Sequence, residues 1–196
     1  MIDTEGFPGV SQHGILGAVT TPRWSRPSTA LGSTPTALAA PPRMFGSVVP
    51  SDLLPWGWAE ERLTAARSYW VASVTSVGRP HVRPVWGVWL RDAFVFSTGS
   101  PVAAGNLADN TEVSVHLESS QDAVIVEGTG ERLTGPDDLR EYVHATNEKY
   151  DHNSYVVGDG VAAPGIPPGP AFRINPRAVF GWDADLRNPT RWTWPR

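Results

Sequence analysis

The chain has 196 residues, 40% of them hydrophobic and 18% charged, with a formal net charge of −4 and no cysteine. That length suits one domain of roughly 100–200 residues plus a tail. The acidic balance argues against a nucleic-acid binder, and the lack of Cys excludes disulfides, thiolate catalysis and Cys-based zinc sites. No apolar run reaches the ~20 residues that span a bilayer. The opening MIDTE is acidic and lacks the apolar core of a secretory signal, so a cytoplasmic location is expected.

Residues 1–48 are rich in Pro, Gly, Ser, Thr and Ala without a sustained period. Such a stretch cannot bury enough apolar surface to offset chain entropy, and it predicts a disordered tail ahead of a domain at 49–196. In PWGWAEERLTAARSY, the spacing of Trp58, Leu63, Ala66 and Tyr69 predicts an amphipathic helix. WVASVTSV then reads as a strand, Val77–Pro80 as a turn and HVRPVWGVWL as a second strand. Pro84 inside it points to an edge or a bulge. Arg91-Asp92 turns the chain into the strand AFVFST. Ser100 and Pro101 have the residue types of a helix N-cap and first helical position, which predicts a helix over 101–109.

TEVSVHLE and DAVIVEGTGERL read as two more strands, and PDDLREYVHATNEKY as a helix with acidic residues in its first turn. The Gly- and Pro-rich stretch 158–170 reads as a loop. AFRIN and AVFGWD read as two last strands joined at Pro176-Arg177, ahead of the closing PTRWTWPR. Many short antiparallel strands with two or three helices between them predict a mainly β (α+β) split barrel.

No self-sufficient catalytic set stands out. His13, His81, His116, His144 and His152 lack the spacing of a helical metal site, and no metal is assigned. Glu127 and Glu131 share one face of a strand and read as solvated. No phosphate loop, nucleophile elbow or dinucleotide fingerprint is present. The distinctive feature is aromatic: 9 Trp, of which Trp70, Trp86, Trp89, Trp182, Trp192 and Trp194 fall in or beside expected strands. Such side chains serve core packing, and flat ones along a groove also suit a planar heteroaromatic ligand.

The segments GRPHVRPVWGVWL, FVFSTG, NLADNTEVSVHLES, AVIVEGTGERL and the closing VFGWD and PTRW occur in this order between Trp58 and Trp194. In this they resemble the pyridoxamine 5′-phosphate oxidase-like family of flavin-binding split barrels, and within it the actinobacterial branch that includes enzymes using the deazaflavin F420. The resemblance implies a homodimer with FMN or coenzyme F420 in a groove between subunits. It also implies hydride transfer to or from a small organic substrate. That chemistry belongs to the cofactor, so no catalytic residue is demanded of the chain. By the same resemblance, Arg83 is directed at the flavin phosphate, Val85 and Trp86 run along the ring system, and Ser97 and Thr98 contact the cofactor at the next strand's end. Ser100 and Asn106 belong to the following helix and its Asn-Leu pair. Trp182 and Arg191 resemble the aromatic and basic positions that complete the pocket.

The family's usual cations ahead of that Asn-Leu pair fall on Val102, Ala103 and Gly105, none of them basic. On this alignment, Ala103→Lys is expected to restore a family cation beside the helix N-terminus. The missing charges also motivate an alternative, a non-catalytic split-barrel binding module that has lost tight cofactor binding. A haem-binding relative needs an axial ligand, and nothing in the sequence singles out His81, His116, His144 or His152. Basic residues for a second phosphate are not apparent, which argues against pyridoxamine phosphate as substrate.

Overall fold

The computed structural model describes residues 36–43, 52–184 and 188–195. The chain divides into two units, Met1–Thr34 and Pro35–Arg196, the first lying outside the described residues. Most of the expected tail also lies outside them. Within that stretch, Leu38–Ala40 forms β1 and pairs with β12 (Thr190–Thr193).

The fold is mostly antiparallel sheet with three helices among the described residues. Helix α1 (Trp56–Ala65) is shorter than its periodicity implies. Tyr69 leaves it to begin β2 (Tyr69–Val74), where it is fully buried. Its hydroxyl donates to the Leu63 carbonyl at 2.5 Å, one of the last carbonyls of α1, which have no partner within the helix. A tertiary contact thus ends the helix where propensity alone carries it onward.

The expected second strand is two. β3 (Pro80–Val85) pairs with β2, and β4 (Val88–Leu90) pairs with β5 (Ala93–Ser97). β3 is the last strand of the sheet order β1-β12-β11-β7-β6-β2-β3, so Pro84 does sit on an edge. Arg91 and Asp92 both have positive φ, 48° and 58°, as a two-residue hairpin turn between β4 and β5 requires. The strained Arg91 is held through its guanidinium by Glu141 of α3 (Pro136–Tyr150) at 2.8 Å.

Helix α2 (Pro101–Asp109) follows, then β6 (Glu112–His116) and the long β7 (Ala123–Leu133). Two readings of the C-terminal third are corrected. The stretch 158–170 is not a loop: β9 (Gly160–Ala163) and β10 (Ile166–Gly169) join β8 (Tyr155–Val157) in a separate three-stranded sheet. Gly158 and Gly165, at φ 60° and 76°, make its two turns, and Val161–Ala163 are buried between them. AFRIN and AVFGWD are one strand, β11 (Ala171–Trp182). Pro176 cannot donate to a ladder, and a register shift between Pro176 and Ala178 absorbs it as a bulge.

β11 pairs with β7 along its whole length, with β5 at its start and with β12 at its end. Since β4 follows β3 directly past the bend at Trp86-Gly87, the circuit β2–β3/β4–β5–β11–β7–β6 closes into a barrel. The bend at Trp86-Gly87 is the corner that switches partners. A Cβ on Gly87 would lie 2.4 Å from the Phe94 ring and 2.9 Å from the Val95 carbonyl oxygen, so only glycine fits this corner.

The main core holds Tyr69, Phe94, Phe96, Val115, Val126 and Trp192, with Trp56 and Trp58 of α1 packed on it. Trp56 makes ring contacts with Trp89, Trp192 and Trp194 at centroid distances of 6.0, 5.8 and 5.1 Å. Much of the tryptophan content is therefore core, where burying one large apolar side chain stabilises by about 1.5–3 kcal/mol. No described helix is long and apolar enough to cross a membrane.

Candidate functional site

The N-terminus of α2 is built by the residues around it in sequence. The Ser100 hydroxyl accepts from the Ala103 N–H at 3.2 Å, and Pro101 occupies the first helical position. The Thr98 hydroxyl accepts from the Ser100 N–H at 3.1 Å, which closes the turn. Ser97 accepts from the Tyr142 hydroxyl of α3 at 3.1 Å. Burial holds the Tyr142 pKa above its ordinary value, so that hydroxyl stays a neutral donor. Each of the three oxygens thus serves the fold as an acceptor, and each hydroxyl keeps a proton of its own to donate.

Among the described residues, no hydrogen bond or ion pair brings a basic side chain to this helix end. Val102 is 51% exposed and Gly105 is exposed, whereas Ala103 is 7% exposed and faces the protein body. The expectation that Ala103→Lys restores a cation is therefore corrected. That side chain would enter the buried face of α2, and Val102 is the position from which a lysine reaches solvent beside the helix end.

Directly opposite residues of an antiparallel pair share a face of the sheet. In β2 and β3, Val71 faces Arg83, Ser73 faces His81 and Tyr69 faces Val85. Val71, Ser73 and Tyr69 are buried, so Arg83 and His81 stand on the inner face, at its open edge. α2 packs on that same face: buried Asn106 donates from its side-chain amide to the Ser73 hydroxyl at 3.0 Å. Arg83 is exposed, and among the described residues its guanidinium bonds only the carbonyl of its neighbour Val82, at 2.9 Å. The His81 Nε2 is enclosed with no hydrogen-bond partner. Arg83 does not lie beside β5 as the Arg91-Asp92 turn suggests, because that turn joins β4 to β5 while β3 pairs with β2.

Trp86 sits at the barrel corner with 53% of its surface exposed. Tyr150 of α3 stacks on it at 4.8 Å and an interplanar angle of 4°, and His152 meets it edge-on at 5.5 Å. The corner's Gly87 has lost its ladder partners, and α3 replaces them. The Tyr150 hydroxyl accepts from the Gly87 N–H at 3.0 Å and donates to the Gly87 carbonyl at 2.8 Å. Lys149 Nζ donates to the same carbonyl at 3.1 Å and to the Tyr69 hydroxyl at 2.7 Å. Burial, and secondarily the Arg67 charge, lower the Lys149 pKa to about 8. Arg67 itself donates to the Lys149 carbonyl at 3.0 Å and lies over the Tyr150 ring.

Trp182 and Arg191 are placed elsewhere. Arg191 is opposite Phe180 and over its ring at 5.9 Å, on the face of β12 away from buried Trp192. Trp182 lies two residues beyond Phe180 on that same face. The structure therefore brings Arg83, Val85 and Asn106 to the inner face of the barrel sheet and sets Trp182 and Arg191 on the outer one. Among the described residues, no hydrogen bond, ion pair or ring contact joins Arg83 to Ser97, Thr98 or Ser100.

A cavity of about 390 Å³ opens between α2 and the β7–β11 pair, walled by Ala104, Leu107, Ala108, Gly130 and Phe172 among others. None of the nine residues above lines it. Its one basic residue, Arg132, is paired with Asp159 at 2.8 Å, so it offers a phosphate less than the Arg83 edge does. No cluster of described His, Asp or Glu could hold a metal ion. Lys149, Tyr150 and Tyr142, which anchor the corner and the α2 end, were missed by the sequence reading. Their only signal is their place in an amphipathic helix, which does not tell what they touch.

The family described as pyridoxamine 5′-phosphate oxidase matches residues 58–183. No curated protein sequence matches the chain. Among solved structures, a conserved hypothetical protein of Mycobacterium tuberculosis is 20% identical over 68% of this chain and 88% of its own, at a TM-score of 0.57. A haem-binding protein of Mycobacterium smegmatis is 18% identical over 73% of this chain and 60% of its own, at 0.55. An FAD-binding protein of Mesorhizobium loti is 17% identical over 81% of this chain and 99% of its own, at 0.52. These similarities concern the fold.

Proposed function

The chain belongs to the pyridoxamine 5′-phosphate oxidase family, and from that premise we propose that it is a cytoplasmic flavin- or deazaflavin-dependent oxidoreductase acting as a homodimer. The observation that carries the reading is Arg83. Its guanidinium is exposed and bonded only to a neighbouring carbonyl, on the sheet face that α2 covers. A cation kept free at a barrel's open edge suits an anionic ligand. The uncharged, Ser-capped end of α2 adds a favourable dipole of about 0.3–1 kcal/mol where exposed.

The residues present fit FMN or F420 in two respects. Trp86 offers an open indole face to a planar ring, and Arg83 offers one charge-assisted contact to a phosphate. When bound, such a group supplies two-electron hydride chemistry. The chain's own part is to bind and orient. Arg83 takes the anionic end, the Val85–Trp86 strand borders the ring, and the Ser97, Thr98 and Ser100 hydroxyls each have a proton to donate to the ligand. Because Trp182 and Arg191 lie on the opposite face of the sheet from Arg83, they join it only when a second copy contributes them. The outer face supports such pairing: Pro84, Trp70, His116, Ile125, Phe180 and Arg191 form one cross-strand row, several of them half-exposed and apolar.

The test is a titration of FMN, riboflavin and F420 against the wild type and Arg83→Ala. The variant is expected to lose ~10- to 100-fold in FMN affinity, the scale of one charge-assisted contact. Riboflavin, which has no phosphate, is expected to be spared. Equal effects on FMN and riboflavin would remove Arg83 from the phosphate. Binding of none of the three would favour the non-catalytic module.

A further inference from the structure

We propose that the C-terminal turn of α3 is the positioning device of the ring site: Tyr150 and Lys149 hold the barrel corner so that Trp86 presents a fixed, open indole face to a planar tricyclic ligand. The inference rests on the flavin or deazaflavin reading above and adds to it two residues that no resemblance assigns.

The geometry carries the argument. A tryptophan at a strand corner, half in solvent, ordinarily samples several rotamers. Here one face is taken by Tyr150 in a near-parallel stack at 4.8 Å, and His152 limits the edge at 5.5 Å. Among the described residues no further ring contact is made to the indole, and 53% of the residue stays exposed. The backbone beneath is fixed as well. A single hydroxyl, that of Tyr150, both accepts from the Gly87 N–H and donates to the Gly87 carbonyl. Lys149 ties the same carbonyl to Tyr69 of β2. One turn of helix therefore fixes the side chain of residue 86 and the peptide of residue 87 together. Arg67 braces that turn through the Lys149 carbonyl and the Tyr150 ring. A stacking surface fixed before the ligand arrives pays less ordering entropy on binding.

Positioning and mere structural support are separated by a double-mutant cycle. Riboflavin and FMN are titrated against the wild type, Trp86→Leu, Tyr150→Leu, the double variant and the milder Tyr150→Phe and Lys149→Met. Trp86→Leu and Tyr150→Leu are each expected to weaken both ligands by about 2- to 10-fold, the worth of one aromatic stack. The two ligands are expected to be affected equally, because the ring is common to both. The double variant is expected to be no weaker than Trp86→Leu, because Tyr150 acts through Trp86. Tyr150→Phe, which keeps the ring stack, is expected to fall between wild type and Tyr150→Leu, and Lys149→Met to weaken both ligands in the same sense. Near-ultraviolet circular dichroism of the ligand-free proteins adds a spectroscopic signature: the band of the Trp86–Tyr150 pair disappears in either leucine variant. Wild-type binding with unchanged affinity in the Tyr150 variants, or additive losses in the double variant, would overturn this inference and leave the flavin reading standing. A wild type that binds no flavin ring would overturn both.

Discussion

Two helix ends meet the barrel, and they are built in opposite ways. At the N-terminus of α2, the capping bonds come from within three residues along the chain: Ser100 to Ala103 and Thr98 to Ser100. At the C-terminus of α3, the backbone cap is also local, but the side chains of Lys149 and Tyr150 reach partners 62 to 80 residues away: Gly87 from Lys149 and Tyr150, Tyr69 from Lys149. The first end is polar and uncharged and makes its cap locally, with one distant brace from Tyr142 to Ser97. The second is aromatic, carries a half-buried cation and supplies hydrogen-bond partners to Gly87 at the bend. A local cap fixes where an element begins. A distant clamp decides how two parts of the barrel join, so more of the fold depends on it.

That contrast predicts an order of effects, and the barrel corner comes first. Gly87→Ala is expected to destabilise the fold by about 3 kcal/mol, since its Cβ has no room against the Phe94 ring and the Val95 carbonyl. Urea denaturation reads this directly, and a near-neutral result would mean the corner can open without cost. Next comes a matched pair. Tyr150→Phe leaves the buried Gly87 N–H without an acceptor and is expected to cost about 1–3 kcal/mol. Ser100→Ala removes a solvent-accessible cap and is expected to cost about 1 kcal/mol. A larger loss for Ser100→Ala than for Tyr150→Phe would break the comparison.

The third effect is a pH dependence. Lys149 titrates at about 8 in the folded protein instead of 10.5. As pH rises through 8, the folded state releases its proton while the unfolded state keeps it, so stability is expected to rise between pH 8 and 10. The gain is on the order of 1–2 kcal/mol after allowance for solvent. Above pH 10 the sign reverses. Burial raises the pKa of Tyr69, Tyr142 and Tyr150, so the unfolded chain ionises these hydroxyls first. Lys149→Met is expected to abolish the rise and leave the fall. Melting temperatures across pH 7–11 check both limbs, with Arg67, Tyr69 and Tyr150 as the groups facing the amine.

The smallest effect concerns the chain's beginning. Deleting residues 1–34 is expected to leave Tm unchanged. Deleting 1–43 also removes β1 from its pairing with β12 and is expected to lower Tm by about 2–4 °C, the equivalent of ~1 kcal/mol in a domain of this size. Differential scanning calorimetry separates the two truncations.

Legibility followed the same divide. α2 and α3 were readable to the residue because their caps and first-turn residues are adjacent in sequence. The bend in β3/β4 was not, because HVRPVWGVWL reads as a single extended run in which Pro84 signals only an edge or a bulge, and the reason for the break is the Phe94 ring across the corner. Composition misread the stretch 158–170, where glycines and prolines serve hairpin turns and an edge strand instead of a loop. For the candidate site, the family resemblance pointed to Arg83 and Trp86. Which of their faces are open, and the burial of Ala103, came from packing.

What the sequence determined by itself were the local decisions: where most strands lie, where α2 and α3 start, that Arg91-Asp92 turns the chain, and how few cations surround the α2 end. These rest on backbone sterics and on hydrogen bonds between near neighbours, which one stretch of chain settles alone. The tertiary structure decided the rest: that one strand turns a corner to close the barrel, that α3 supplies the missing partners of Gly87, and that Arg83 and Arg191 stand on opposite faces of the sheet. Each of these depends on groups far apart in the chain meeting at van der Waals or hydrogen-bond distance, and no local pattern encodes that meeting.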